Sequence, residues 1–507
     1  MEKLHIGKKE IEIKAEWKLG FLATWVFGLL AHAYRFFNFL PTWDSMYNFT
    51  GTGATFYSGR CFLGFFSGLS SKYDMPWVNG ALSLFYISIA VVMMVDLFRL
   101  KSRTAIILLA GLVVSFPTVT STFAFMFTAD GYMAAFLLAT AGVYLTYRFK
   151  HGIWPGIVCI GLSMGTYQAY ITVAFALILL IGIRDLLLEK QSFKKTFAMD
   201  WKYFALVVGG AVFYKVVDSL INAYYGITLT DYQGIGSMGI LTLEQYKTAF
   251  IKTAKSILQL WCLHNGLGGA NKYGLANAAV VGGIMLGTVI LIIKNKTYKD
   301  VAGVIVTVLA AAVLPIAAFA LNFVSAGVDY HTLMMMGVCF IYVLLLLYVE
   351  HGKWEKAAGK VLKAVGVLVL AFLVYYNTIN ANIAYNSMNL SYEKSYAVCS
   401  NILDRIENLE EYPEISKVAM IGRYHANSGG IDSMAPTIMG VNQDTFLWGD
   451  YHYVSMWNYC FGRSFALTSG AEKEEITATE EYQNMPVYPA KDSVKVINGT
   501  IVVKLSE

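Results

Sequence analysis

The sequence predicts a mainly α, polytopic membrane protein with about eleven helical spans and a small C-terminal α/β domain outside the membrane. Three observations predict it. Hydrophobic residues make up 56% of the 507 and charged residues only 14%, a balance far from that of soluble domains. The apolar residues are gathered into windows of roughly eighteen or more, the length a helix needs to cross a bilayer. In lipid, a helix also satisfies its own backbone. Beyond residue 377 the apolar windows stop, and short strand and helix patterns replace them.

The elements follow in order. Residues 1–16, with Lys3, Lys8, Lys9 and Lys14 among Glu partners, read as a charged cytoplasmic lead rather than a cleavable signal. A first span covers 17–37. Pro41 opens a long loop to Asp74, whose apolar run from Cys61 to Phe66 reads as interfacial helix. A second span, 77–98, is stopped by Arg99, Lys101 and Arg103. A third breaks at Phe116-Pro117, and a fourth runs from Tyr132 to Tyr147. Residues 153–188 are too long for one span, and Gly165 with Tyr167-Gln168 divides them. A seventh, 201–225, holds Lys215 and Asp218, which are expected to neutralise each other on one helix face. The loop that follows ends in Gly266, Gly268 and Gly269. Further spans end at Ile293, near Asn322 and before Lys353, and a last one covers 361–376.

Almost every Lys/Arg-rich loop then falls on the side of the N-terminus, which places that end inside and residues 377–507 outside. The expected organisation is a lead of 1–16, a transmembrane body of 17–376 and an outer domain of 377–507. In that domain, 392–409 has helical periodicity and 418–421 reads as a strand. Residues 494–503 read as a hairpin about Asn498-Gly499. The net charge of +5 calls for no nucleic-acid partner. The 6 cysteines, Cys61, Cys159, Cys262, Cys339, Cys399 and Cys460, are scattered without a C-x-x-C, so no metal or redox cofactor is expected.

Polar residues collect in the loops on the outer side. Asp44, between Trp43 and Tyr47, and Arg60, after a Gly/Thr-rich approach, lie in the first. Asp130 closes the second, Tyr167 and Gln168 form the third, and Asp329 and His331 lie in the fifth. A lone loop acid is usually a solvated turn residue, Asp130 has the position of a helix cap, and Arg60 has the reach of a headgroup anchor. Aromatic walls, however, suit a sugar and raise a carboxylate towards general-base range. A guanidinium also makes forked hydrogen bonds to phosphate. That several outer loops bring such groups to the membrane edge is the more telling pattern. Transporters or flippases of lipid-linked sugars bind near the midplane within inverted repeats, and no such repeat is visible. An inactive assembly scaffold would leave these polar loops without a task.

Trp43-Asp44-Ser45, Ser58-Gly59-Arg60, Thr128-Ala129-Asp130, Tyr167-Gln168 and the C-terminal outer domain together resemble the bacterial Gtr-type membrane glucosyltransferases. These are similar to the GT-C superfamily of multi-spanning enzymes. The resemblance implies transfer of a hexose, glucose first, from a polyprenyl-phosphate sugar to an envelope glycan at the outer face of the bacterial plasma membrane. It implies Asp44, with Asp130, as the catalytic acids and Arg60 with His331 at the donor phosphate. Trp43, Tyr47, Tyr167, Gln168 and Asp329 would line the substrates. Family members often carry two adjacent acids in the first loop, whereas here Ser45 follows Asp44.

Overall fold

The computed structural model describes the chain except residues 1, 7–8, 52, 54, 71–72, 240, 263–271, 427–437 and 442–443. The glycines at 266, 268 and 269 therefore lie outside the described residues. The lead folds as an antiparallel strand pair, β1 (Glu2–Ile6) and β2 (Lys9–Ile13).

The helical body begins with α1 (Ala15–Phe37), which ends where Asn38 turns extended, three residues before Pro41. A 5-residue helix, α2 (Leu63–Ser67), interrupts the long loop. One side of it packs against α6, where a Cβ on Gly131 would come within 2.2 Å of Ser67 Oγ. Pro76 starts α3 (Pro76–Leu97) at the position where a missing N–H costs nothing. Ser102 caps α4 (Arg103–Ser115), accepting from the Ala105 N–H, and Pro117 forces the break to α5 (Pro117–Ala124). The next helix is α6 (Met126–Arg148). Tyr167, extended at φ −156°, divides α7 (Ile153–Thr166) from α8 (Ile171–Ile183), with a 3-10 turn over Gln168–Tyr170. The division expected at Tyr167-Gln168 is there.

The body continues through α9 (Phe193–Tyr225), closed by Gly226 in the left-handed region, then α10 (Leu243–Cys262) and α11 (Lys272–Asn295). It is completed by α12 (Val301–Ala317), α13 (Cys339–His351) and α14 (Ala357–Glu407). Among the described residues, 8 helical stretches are long and apolar enough to cross a membrane, and three shorter apolar ones, Ile153–Thr166, Val301–Ala317 and Met336–His351, stand beside them. Length and composition therefore qualify fewer full spans than the expected eleven. The core lies where α4, α5, α6, α8 and α13 meet, through residues such as Leu109, Val113, Phe136, Leu177, Phe340 and Leu344.

The two ends of this bundle differ. At one, loop charges pair up: Lys14 with Asp96 at 2.7 Å, Lys101 with Glu16 at 3.0 Å and Arg99 with Glu189 at 2.9 Å. Glu350 accepts from the Ser102 N–H and hydroxyl. The other end carries Asp44, Arg60 and His331. Lys215 and Asp218 act on each other electrostatically, as expected; Lys215 is exposed, while Asp218 is buried and accepts from Asn222 at 3.2 Å.

The boundary expected at residue 377 is not a break in the chain. The 51 residues of α14 run through it, because nothing between Gly366 and Glu407 interrupts a helix. At about 1.5 Å per residue this helix is more than twice as long as a hydrocarbon core is thick. Its far end packs against a mixed sheet ordered β4 (Ala466–Leu467), β3 (Lys417–Ile421), β6 (Thr500–Lys504), β5 (Val494–Ile497). β5 and β6 form the expected hairpin, with Asn498 at φ 51° and Gly499 at φ 70°. Helix α15 (Asp450–Phe461) seals the join, since its buried Trp457 donates to the Cys399 carbonyl of α14 at 2.9 Å.

Candidate active site

The loop between α1 and α3 is folded by its own polar side chains. Ser45 Oγ accepts from the Thr42 N–H at 2.9 Å, and Asn48 returns two bonds to the Asp44 carbonyl. The Asp44 side chain is left half-buried and free of this local bonding. Burial raises its pKa above the ordinary carboxylate value, and the nearby Arg60 charge opposes the rise. The acid and the arginine therefore act on each other across the loop.

Arg60 is aimed by a clamp. Gly59 turns the chain at φ 61°. Gln168 Nε2 donates to the carbonyls of Ser58 (3.1 Å) and Gly59 (2.9 Å), and the Tyr214 hydroxyl of α9 donates to Gly59 as well. Beyond the clamp, the guanidinium lies 5.2 Å from the Tyr167 ring centroid and donates to the Tyr132 hydroxyl at 3.1 Å. Tyr132 and Tyr167 are themselves stacked at 4.2 Å. Tyr167 thus supports the arginine, and Gln168 supports the backbone beneath it. Both had been expected to touch substrate, and the geometry gives Gln168 a positioning task first.

His331 completes this group. Arg60, Tyr167, Gln168, Gln233, Met238 and His331 line one cleft. Burial holds the His331 pKa down to about 4, with Asp329 opposing and Arg60 adding to the fall. At neutral pH it is an uncharged imidazole, and its Nδ1 has no partner among the described residues. The loop bearing it is tied down where Gln233 Oε1 accepts from the Asp329 N–H at 2.6 Å. The Asp329 side chain itself is exposed at the rim.

Trp43 and Tyr47 meet the C-terminal segment. Trp43 stacks on Trp448 at 4.2 Å, and its carbonyl accepts from His452 Nε2 at 2.8 Å. Tyr47 is 80% exposed and sits edge-on to Tyr451. Burial raises the Tyr451 hydroxyl pKa, and the charges of Asp44 and Asp450 add to that. Residues more than four hundred positions downstream thus wall the acid, and local sequence pattern gave no sign of them.

Asp130 lies elsewhere. It sits inside α6 rather than at its cap, is fully buried, and accepts the Gly131 N–H at 3.0 Å. Two residues on a helix are about 200° apart, so Tyr132 faces Arg60 while Asp130 faces Ser70 and Tyr86 of α3. The structure gathers Trp43, Asp44, Tyr47, Arg60, Tyr167, Gln168, Asp329 and His331 at one end of the bundle and leaves Asp130 on the opposite face of its helix. Tyr132 and Tyr214 escaped the sequence reading because ordinary helix tyrosines carry no mark of what they will touch.

No curated protein and no solved structure matches the chain. The profile of one family, described as Glucosyl transferase GtrII, matches residues 33–342. That stretch begins in the last turns of α1 and ends within α13, so it contains the acid, the clamp with its arginine, and the histidine. It covers more than half of the 507 residues, and the chain belongs to the GtrII glucosyl transferase family.

Proposed function

We propose that this membrane glycosyltransferase moves a hexose, glucose first, from a polyprenyl-phosphate sugar to a cell-envelope glycan on the outer face of the plasma membrane. The observation that supports this reading is the pairing of a burial-raised carboxyl, Asp44, with a clamped guanidinium, Arg60, within electrostatic reach of each other. In a single displacement the acceptor hydroxyl oxygen attacks the anomeric carbon, and the bond from that carbon to the phosphate oxygen breaks. The electron pair leaves with the polyprenyl phosphate, and the hydroxyl proton passes to Asp44. Arg60 meets the phosphate with a fork of donors, and neutral His331 has one N–H to add. On this reading Asp130 does not touch the sugar.

Asp44→Asn tests the assignment, since it keeps size and loses the proton acceptor. Transfer should fall by about 10²–10⁴-fold with donor binding retained, measured on protein matched for folded amount. Near-normal turnover in Asp44→Asn together with loss in Asp130→Asn would put the base on α6.

A further inference from the structure

A groove runs along the bundle at the end opposite Arg60. Its floor is α13, through Tyr348 and Val349, and its two walls are α11 and α14. Glycines let the walls come close to the floor: a Cβ on Gly287 would stand 2.8 Å from the Tyr348 ring, and one on Gly366 2.7 Å from Val349. Both walls are candidate spans, Lys272–Asn295 and Ala357–Glu407. Leu286 and Val365, one on each wall, are half exposed, so the groove opens sideways to whatever surrounds the spans. Trp354, in the loop from α13 to α14, lines the end of the groove. Its indole donates to the Tyr348 carbonyl at 2.9 Å, and Lys294 Nζ lies 5.1 Å from its ring centroid.

Lys363 breaks this apolar lining. It sits in the second turn of α14, is half-buried in the groove, and has no hydrogen-bond or ion-pair partner among the described residues. A charge within a span is costly unless something answers it. A helical side chain leans towards the start of its helix, so the ammonium is carried towards the Trp354 end and the membrane surface. More positive charge stands there. Lys353 and Lys356 flank Trp354, and Lys360 lies one turn before Lys363 on the same helix face. The acids of the neighbouring loops are mostly occupied. Glu350 accepts from Ser102, and Asp300 accepts from the N–H groups of Phe193 and Gly303. Glu355 alone is left among the lysines between 353 and 363. A ligand that fits must therefore be apolar along its length and negative at one end.

We propose that the groove between α11, α13 and α14 is a binding site for an anionic phospholipid of the surrounding bilayer. One acyl chain lies over α13 between the two walls, and the headgroup phosphate meets Lys363 and Lys360. Basic pockets between spans at a membrane surface hold anionic headgroups in this way. The lipid would fasten α14, the helix that continues out of the body to the C-terminal sheet, against α11 and α13. The site lies at the far end of the bundle from Arg60 and does not depend on the transfer reading.

The test is native mass spectrometry of the full chain in detergent, titrated with dioleoyl phosphatidylglycerol and read as the affinity of the first lipid bound. Lys363→Met and Lys360→Met should each weaken it by about fivefold, the worth of one lysine at an anionic headgroup. Neither change removes a contact that the fold uses, and Lys363→Arg, which keeps the charge, should bind as the parent does. Lys150, exposed at the same end of the bundle but outside the groove, supplies the control, and Lys150→Met should leave binding unchanged. Dioleoyl phosphatidylcholine, with the same tails and no net charge, should bind about tenfold more weakly. Equal binding of the two lipids would show a tail groove that reads no charge, and overturn the proposal. Displacement by glycerol phosphate at lipid-like concentrations would show an anion site that reads no tail, and overturn it too. So would unchanged binding in both groove variants, or an equal loss in Lys150→Met. Because no transfer is measured, none of these results bears on the role of Asp44.

Discussion

Gly59→Ala is the sharpest probe of how Arg60 is aimed. Gly59 sits at φ 61°, ψ 24°, where a residue with a Cβ costs about 1–2 kcal/mol. The new methyl would also stand 2.8 Å from the Tyr214 hydroxyl and 3.1 Å from Gln168 Nε2. Crowding of that kind costs about 1–3 kcal/mol. Together these give about 2–5 kcal/mol against the aimed loop. Relaxation absorbs part of it, and about 3 kcal/mol remaining corresponds to a loss of about 10²-fold in kcat/KM for the donor. The assay is transfer of labelled glucose from polyprenyl-phosphate-glucose in proteoliposomes, with protein taken from a single monodisperse peak. Tyr214→Phe removes the crowding hydroxyl but not the φ penalty, so the double variant should lose less than the two single losses combined. A Gly59→Ala enzyme within about threefold of the parent would refute the clamp.

Two further outcomes follow from the charges. If ionised Asp44 is the base, transfer falls as pH falls through its pKa, and because burial raises that pKa the acid limb should lie above the ordinary carboxylate range. Arg60 lowers it, so Arg60→Gln should move the limb to still higher pH, and a limb that stays put or moves down contradicts the pairing. For orientation, a cysteine at the exposed Lys491 should be labelled by an impermeant thiol reagent in intact cells, well above the parent's background. Labelling only after lysis would reverse the proposed topology.

Much of the fold was legible because its signals are local. The Pro41 break, the Tyr167-Gln168 division and the Asn498-Gly499 hairpin each follow from one or two residues whose backbone preferences leave few choices. The acid and the arginine were legible for the same reason, as polar exceptions in an apolar chain. What stayed hidden is long-range or rotational. Trp448, Tyr451 and His452 reach Trp43 and Asp44 across the whole sequence, and nothing near them announces it. Asp130 looked like a loop acid, yet its place within α6 turns it away from Tyr132. The end of the last span was read from a change in polarity at 377, but α14 continues because polarity ends a membrane crossing without ending a helix.

The two halves of the site are built differently, and that bears on what each can do. Every group that aims Arg60 (Gly59, Tyr132, Tyr167, Gln168 and Tyr214) lies within the 33–342 stretch that the family shares. The walls around Asp44 come partly from Trp448, Tyr451 and His452, which lie outside it. Phosphate handling demands fixed geometry, because a charge-assisted fork loses most of its advantage with small displacements. Recognition of an acceptor demands variety, and a separate C-terminal segment leaning on the base can change without disturbing the clamp. On the transfer reading, then, the shared part of the chain fixes the donor chemistry, and the C-terminal segment sets which hydroxyl reaches Asp44.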